Sequence, residues 1–228
     1  VADPQLLLPP EVLYRTDQFV VWHTGLVRGP VGAVVTLVVD GVDGTAWEDF
    51  DPIGPAGVTL RGPDSPGFLV PFQEAEGAAR RYRVTGLFGD VDVRGTWVEF
   101  WVRELGVHAL RFVGEPVRGE VLPFAVVPEV LYREAGMVVW HPGVVRGPSG
   151  LFVSLEVRAE RGELLGAEWE LGERPIGVTS SAGDSSETVV GGERALRAYG
   201  WFGGGVGERG WVRYDVRPLG VRRLRAGV

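Results

Sequence analysis

Glu11-Val12-Leu13-Tyr14-Arg15, Val20-Val21-Trp22-His23 and Val27-Arg28-Gly29-Pro30 return later in the chain as Glu129-Val130-Leu131-Tyr132-Arg133, Val138-Val139-Trp140-His141 and Val145-Arg146-Gly147-Pro148. Residues 11–40 set against 129–158, at an offset of 118 and without a gap, are identical at 18 of 30 positions. Further on the offset drifts but the order holds: Pro52-Ile53-Gly54 answers Pro175-Ile176-Gly177, and Trp97-Val98 answers Trp211-Val212. A period of half the chain is too long for a solenoid, whose units run to roughly 20–50 residues. The repeat therefore predicts two duplicated domains of ordinary size, 1–114 and 115–228, joined near Gly114 to Glu120.

Inside a repeat the period is two. Ala33, Val35, Leu37 and Val39 align with Leu151, Val153, Leu155 and Val157, while the intervening Thr36 and Val38 align with Ser154 and Glu156. One apolar face with β-branched enrichment is the pattern of a half-buried strand. The segment from Phe19 to Arg28 is also strand-like, and Gly29-Pro30 between the two runs makes a hairpin turn, because Pro cannot donate to a ladder. No stretch of ten or more residues keeps a 3.6-residue period, and Gly and Pro punctuate the chain about every dozen residues, as in sandwiches and barrels. The predicted fold class is all-β: two tandem antiparallel β-sandwiches of the immunoglobulin-like kind, each with roughly seven or eight strands.

A second hairpin is expected in each repeat. Tyr82, Val84, Gly86 and Phe88, with Val98, Phe100 and Val102, should form the core face of the first; Leu196, Ala198, Gly200 and Phe202, with Val212, Tyr214 and Val216, that of the second. The opposite parity then carries Arg83, Trp97, Trp101 and Arg103 in one repeat and Arg197, Tyr199, Trp201, Trp211 and Arg213 in the other. Arginines interleaved with large aromatics on one face mark a contact surface, since such groups combine cation–π attraction with large area and few rotors.

At these residues the chain resembles a set of uncharacterised β-rich proteins of high-GC bacteria. The resemblance rests on Val12-Leu13-Tyr14-Arg15-Thr16-Asp17 through Thr24-Gly25, a glycine-rich hairpin, an aromatic strand leading into Leu-Gly, and a last strand like Leu110-Arg111-Phe112-Val113. The chain departs from that set in lacking a Pro-rich stretch after the aromatic strand, where Pro218 alone hints at it. What the resemblance implies is fold; it implies no activity and no functional residues.

Composition removes most chemistries. The 228 residues include no Cys and three His, which excludes disulfides, thiolate metal sites and cysteine nucleophiles. The net charge of -7 argues against a nucleic-acid partner, whose phosphates call for a basic surface. No apolar run approaches the roughly 20 residues of a membrane-spanning helix. All 23 basic residues are arginine, and no basic segment followed by an apolar stretch opens the chain, so a cytoplasmic protein from a GC-rich genome is expected. The acids divide 15 and 15 between residues 1–114 and 115–228, the arginines 9 and 14, giving charges of -6 and -1.

The remaining candidates for chemistry read as structure. His23 and His141 occupy matching places in Trp-His-Xaa-Gly, and no carboxylate or nucleophile is repeated beside them in sequence, so both are expected to be packing residues rather than bases or ligands. His108, answered by Arg222, is expected on a strand surface. Glu48, Asp49 and Asp51 lack the spacing of a calcium loop. Gly203 to Gly207 lacks the Lys-Ser or Lys-Thr of a phosphate loop. No catalytic residue, metal or cofactor is expected. The sequence thus predicts a non-enzymatic structural or interaction protein whose partner is another protein or a second copy of itself. The alternative is a carbohydrate-binding module that uses some of the eight tryptophans.

Overall fold

The protein is described by a computed structural model. It describes residues 3–15, 17, 19–30, 32–41, 57–61, 72–76, 81–88, 97–102, 106–111, 119–134, 136–148, 150–159, 176–180, 186–192, 195–203, 210–216 and 220–226. Side chains are described within 3–15, 17, 20–30, 32–41, 119–133, 136–148 and 150–157. Every regular element among these residues is a β-strand, every ladder is antiparallel, and none of them is helical.

The chain falls into two compact units, Gln5–Leu122 and Pro123–Val228, the latter grouped with Val1–Pro4. The first unit contains β1 (Gln5–Leu8), β2 (Glu11–Arg15), β3 (Phe19–His23), β4 (Leu26–Gly29), β5 (Gly32–Gly41), β6 (Gly57–Arg61), β7 (Phe72–Glu76), β8 (Arg81–Phe88), β9 (Trp97–Val102), β10 (Gly106–Arg111) and β11 (Glu120–Val121). Eight of these strands form one sheet ordered β1-β4-β5-β3-β2-β11, with β8 on the other flank of β5 and β7 beyond it. The other three form a sheet ordered β10-β9-β6.

The second unit contains β12 (Phe124–Val126), β13 (Glu129–Glu134), β14 (Met137–His141), β15 (Val144–Gly147), β16 (Gly150–Ala159), β17 (Ile176–Ser180), β18 (Ser186–Gly192), β19 (Ala195–Gly203), β20 (Gly210–Val216) and β21 (Gly220–Ala226). Its larger sheet runs β12-β15-β16-β14-β13, with β19 and then β18 on the far side of β16, and β17-β20-β21 form the smaller one. Strand for strand this is the order of the first unit, with no counterpart of β11 among the described residues.

The centre of each larger sheet differs from the half-buried strand expected from alternation. Along β5, Ala33, Val35, Leu37 and Val39 are buried, and so are Val34, Thr36, Val38 and Asp40 at the opposite parity. In β16 the same holds for Leu151, Val153, Leu155 and Val157 and for Phe152, Ser154 and Glu156. Both faces are therefore covered at the middle of the sheet. Thr36, Ser154 and Glu156 are polar residues inside it rather than members of a wetted face.

The first expected hairpin is present: β4 and β5 pair through Gly29 and Gly32 around Pro30. The second is not a hairpin. β8 pairs with β5 and β7, whereas β9 pairs with β6 and β10. Likewise β19 pairs with β16 and β18, whereas β20 pairs with β17 and β21. The chain changes sheet between strands that sequence spacing alone would pair.

Coverage of both faces of β5 gives a direct check. Val38→Ser should lower the unfolding free energy of the protein by about 2 kcal/mol or more in urea denaturation, because it removes buried apolar surface and leaves a hydroxyl in its place. A cost below about 0.5 kcal/mol, the range of surface substitutions, would show that this parity faces water.

Candidate functional site

The element that organises each larger sheet is the Trp-His-Xaa-Gly segment. In the first unit β3 and β4 lie one after the other along the same flank of β5: His23 pairs with Leu37 and Val27 with Val34. Between them Gly25 adopts φ +83°, a conformation that L side chains rarely enter. Its N–H, turned out of the ladder, donates to Nδ1 of His23 at 3.1 Å. Thr24 donates its N–H to the Thr36 carbonyl at 2.9 Å, and the Thr36 N–H donates back to Thr24 Oγ1 at 3.0 Å. A backbone interruption inside a dry sheet is thereby satisfied by two side chains.

The second unit repeats the arrangement with fewer parts. Gly143 adopts φ +105°, and its N–H donates to Nδ1 of His141 at 3.2 Å. Pro142 replaces Thr24 and supplies neither the N–H nor the hydroxyl. What both copies keep is the histidine that accepts and the glycine that donates. Glycine is demanded sterically as well. A Cβ on Gly25 would come within 2.8 Å of the Leu8 carbonyl, and one on Gly143 would run into the Phe124 ring.

These contacts decide what the histidines are. Both are fully buried. A ring whose Nδ1 accepts a hydrogen bond carries no proton there, so the imidazole is neutral with its proton on Nε2. Burial pushes the His23 pKa from its usual value down to about 3. No carboxylate neighbours either histidine along the chain, but Glu11 stands directly opposite His23, and Glu129 opposite His141, on the neighbouring strand. That proximity comes from strand register, which sequence spacing does not display. Glu11 is itself buried, and its Oε1 accepts a hydrogen bond from Gly119 N–H. The arrangement holds backbone together inside the sheet.

The residues singled out from the sequence for an interaction surface fall into four sheets. Arg83, in β8, stands in register with Val38 and Glu74. Arg197, Tyr199 and Trp201, in β19, stand opposite Glu156, Ser154 and Phe152 of β16. Trp97 and Trp101 belong to the smaller sheet of the first unit, where Trp97 is flanked by Arg61 and Arg111, and Trp101 by Gly57 and Val107. Trp211 and Arg213 belong to the smaller sheet of the second, opposite Arg225 and Arg223. His108, expected on a surface, is paired with Phe100 among apolar positions. Arg103, Glu48, Asp49, Asp51 and the loop 204–209 lie outside the described residues.

Among the described residues no group of three or more His, Cys, Asp and Glu could hold a metal ion. No described helix is long and apolar enough to cross a membrane. No protein-family model matches the sequence, and no curated protein matches it.

Two outcomes test the histidine–glycine element. Below pH 6.5 the unfolded chain protonates His23 while the folded protein resists protonation until about pH 3, so stability is full above pH 6.5 and declines as the pH falls. The decline contributed by His23 should reach about 1.4 kcal/mol per pH unit. His23→Gln, whose amide oxygen still accepts a hydrogen bond but does not titrate, should flatten that dependence in urea melts between pH 7 and 4. Gly143→Ala should cost about 1–3 kcal/mol of backbone strain, with the clash at Phe124 added, measured by the same melts; an unchanged midpoint would show that the glycine is dispensable.

Proposed function

We propose that the chain is a tandem duplication of two β-sandwiches and serves as a non-enzymatic interaction protein, whose contact surface is the Arg- and Trp-bearing parity of the smaller sheets. The observation that carries this reading is a cross-strand row. Arg61, Trp97 and Arg111 stand in register across β6, β9 and β10, and Trp211 stands opposite Arg225 at the matching place in the second unit. At the other parity of the first sheet stand Val58, Leu60, Val98, Phe100, Val102, Gly106 and Leu110, with His108 the one polar residue among them, a largely apolar run suited to packing on the larger sheet. The row then belongs to the outer side. Arginine and tryptophan interleaved there supply what hot spots of protein contacts are made of.

The rest of the surface sorts by the same parity. Tyr199 and Trp201 continue rows that begin at Ser154 and Phe152, both buried, so this reading assigns them to packing and leaves Trp97, Trp101, Trp211 and Arg213 to the contact. A protein partner, including a second copy of the chain, is the favoured ligand. A carbohydrate is the second reading: Trp97 and Trp101 share one parity of one strand, about 13 Å apart at roughly 3.3 Å per residue, a separation that an oligosaccharide could span.

Sedimentation over a concentration series with Trp101→Ser and Trp201→Ser separates these assignments. Trp101→Ser should weaken association by about 2 kcal/mol or more while the thermal transition stays in place, and Trp201→Ser should lower the transition itself. The reverse pattern would exchange the two faces, and binding to a glycan array abolished by Trp101→Ser would favour the carbohydrate reading.

A further inference from the structure

The strand β11 shows how one edge of a larger sheet is closed. Glu120 pairs with Val12 and Val121 with Glu11, and Leu122 donates its N–H to the Pro10 carbonyl at 2.9 Å. Gly119 donates to Glu11 Oε1, and Arg15 faces Glu120 at 3.6 Å. Leu122 is buried. Gly119 is held so close that a Cβ would run into the Val12 carbonyl. The clasp thus has an acceptor half, Pro10 to Arg15, and a donor half, Gly119 to Leu122, which is the segment leading into the second repeat.

The acceptor half recurs unchanged, Pro10-Glu11-Val12-Leu13-Tyr14-Arg15 as Pro128-Glu129-Val130-Leu131-Tyr132-Arg133. Tyr14 and Arg15 are exposed, so packing of the core does not account for their identity in both copies; a shared role at the sheet edge does. At the offset of 118, the donor residues Glu120-Val121-Leu122 align with Ala2-Asp3-Pro4. The compact unit that holds β13 comprises Val1–Pro4 together with Pro123–Val228.

We propose that the edge of β13 is a second strand-acceptor site, occupied by the lead-in of the first repeat that ends at Pro4. The acceptor is the same, but its donor is poorer. Pro4 has no N–H to give the Pro128 carbonyl and no leucine side chain to bury. At the offset of 118 Asp3 aligns with Val121, an acid in place of an aliphatic residue, and Ala2 aligns with Glu120 and lacks the carboxylate that faces Arg15 in the first clasp. The better ligand for this edge is an extended segment reading glycine, acid, aliphatic, leucine. Main-chain hydrogen bonds give it affinity; the glycine step, the acid and the leucine give it specificity.

Hydrogen exchange at the β13 amides of the full chain tests this. The variant A2E/D3V/P4L, which restores the donor sequence, should slow their exchange about tenfold, the worth of one hydrogen bond or a little more. Deletion of residues 1–4 should speed it, and a synthetic peptide spanning residues 117–123 should restore protection, while the same peptide with Gly119→Val should not. Exchange unchanged in both the triple variant and the deletion would overturn the site. Protection in the deletion variant that rises with protein concentration would hand the edge to a second copy and overturn the proposed occupant. Should the deletion fail to fold, the triple variant decides alone.

Discussion

The hydrogen bond from a glycine N–H to a buried histidine Nδ1 is the contact on which each larger sheet depends. β5 is ten residues long, and its flank is covered by two strands in succession, β3 and then β4. The chain between them must leave the ladder and re-enter it without losing contact. In water a freed N–H would cost little, but between covered faces it would cost about 1–3 kcal/mol. The histidine removes that cost and fills space, and the positive φ of the glycine makes the step short enough for β4 to continue beside β5. Replacement of Thr24 by Pro142 shows which parts are dispensable: the threonine reinforces the step in one unit, and the other closes it without one.

Burial at both parities of β5 and β16 places an acidic residue inside each larger sheet, and in each the register sets an arginine position beside it. Asp40, almost fully buried, is paired with Arg81, which is paired in turn with Glu76. Glu156, equally buried, is paired with Arg197. A buried carboxylate is tolerated when an opposite charge and hydrogen bonds come with it, and in each unit the residue in register on the next strand is an arginine. The two acids do not align with one another in the repeat: Asp40 answers Arg158, and Glu156 answers Val38. The units thus carry their buried acids at different rungs of the ladder.

Much of the fold was legible because strand periodicity and turn residues are local. The repeat, the all-β class and the hairpin at Gly29-Pro30 follow from Val35, Leu37, Val39 and their neighbours. What stayed hidden is set by distance along the chain. Spacing pairs Tyr82–Phe88 with Val98–Val102, yet the chain changes sheets between them, and no local pattern marks such a change. Polar residues at alternate positions suggested water on one face of β5; Thr36 is instead buried, and its backbone bonds Thr24, twelve residues away. Glu11 carried one trace of its role, its recurrence as Glu129 at a strand start, but its partner Gly119 lies 108 residues on.

Where the two units differ bears on how they can meet partners. Residues set by backbone demands, such as His23 and Gly25, are identical in both copies, whereas the smaller sheets diverge at the parity opposite their apolar run. The row Thr59–Glu99–Ala109 of the first unit becomes Thr179–Arg213–Arg223 in the second, and Trp101 becomes Asp215. At these places one acid, Glu99, gives way to two bases and one acid, Arg213, Arg223 and Asp215, in keeping with charges of -6 and -1 for the two halves. A symmetric contact between two second units through this parity would set arginine against arginine, which costs free energy unless a counter-ion intervenes. Under the proposed reading, a contact between the first unit of one copy and the second unit of another would bring an acid position to an arginine position, and such a heterologous contact is the kind that repeats head to tail, in a ring or a filament.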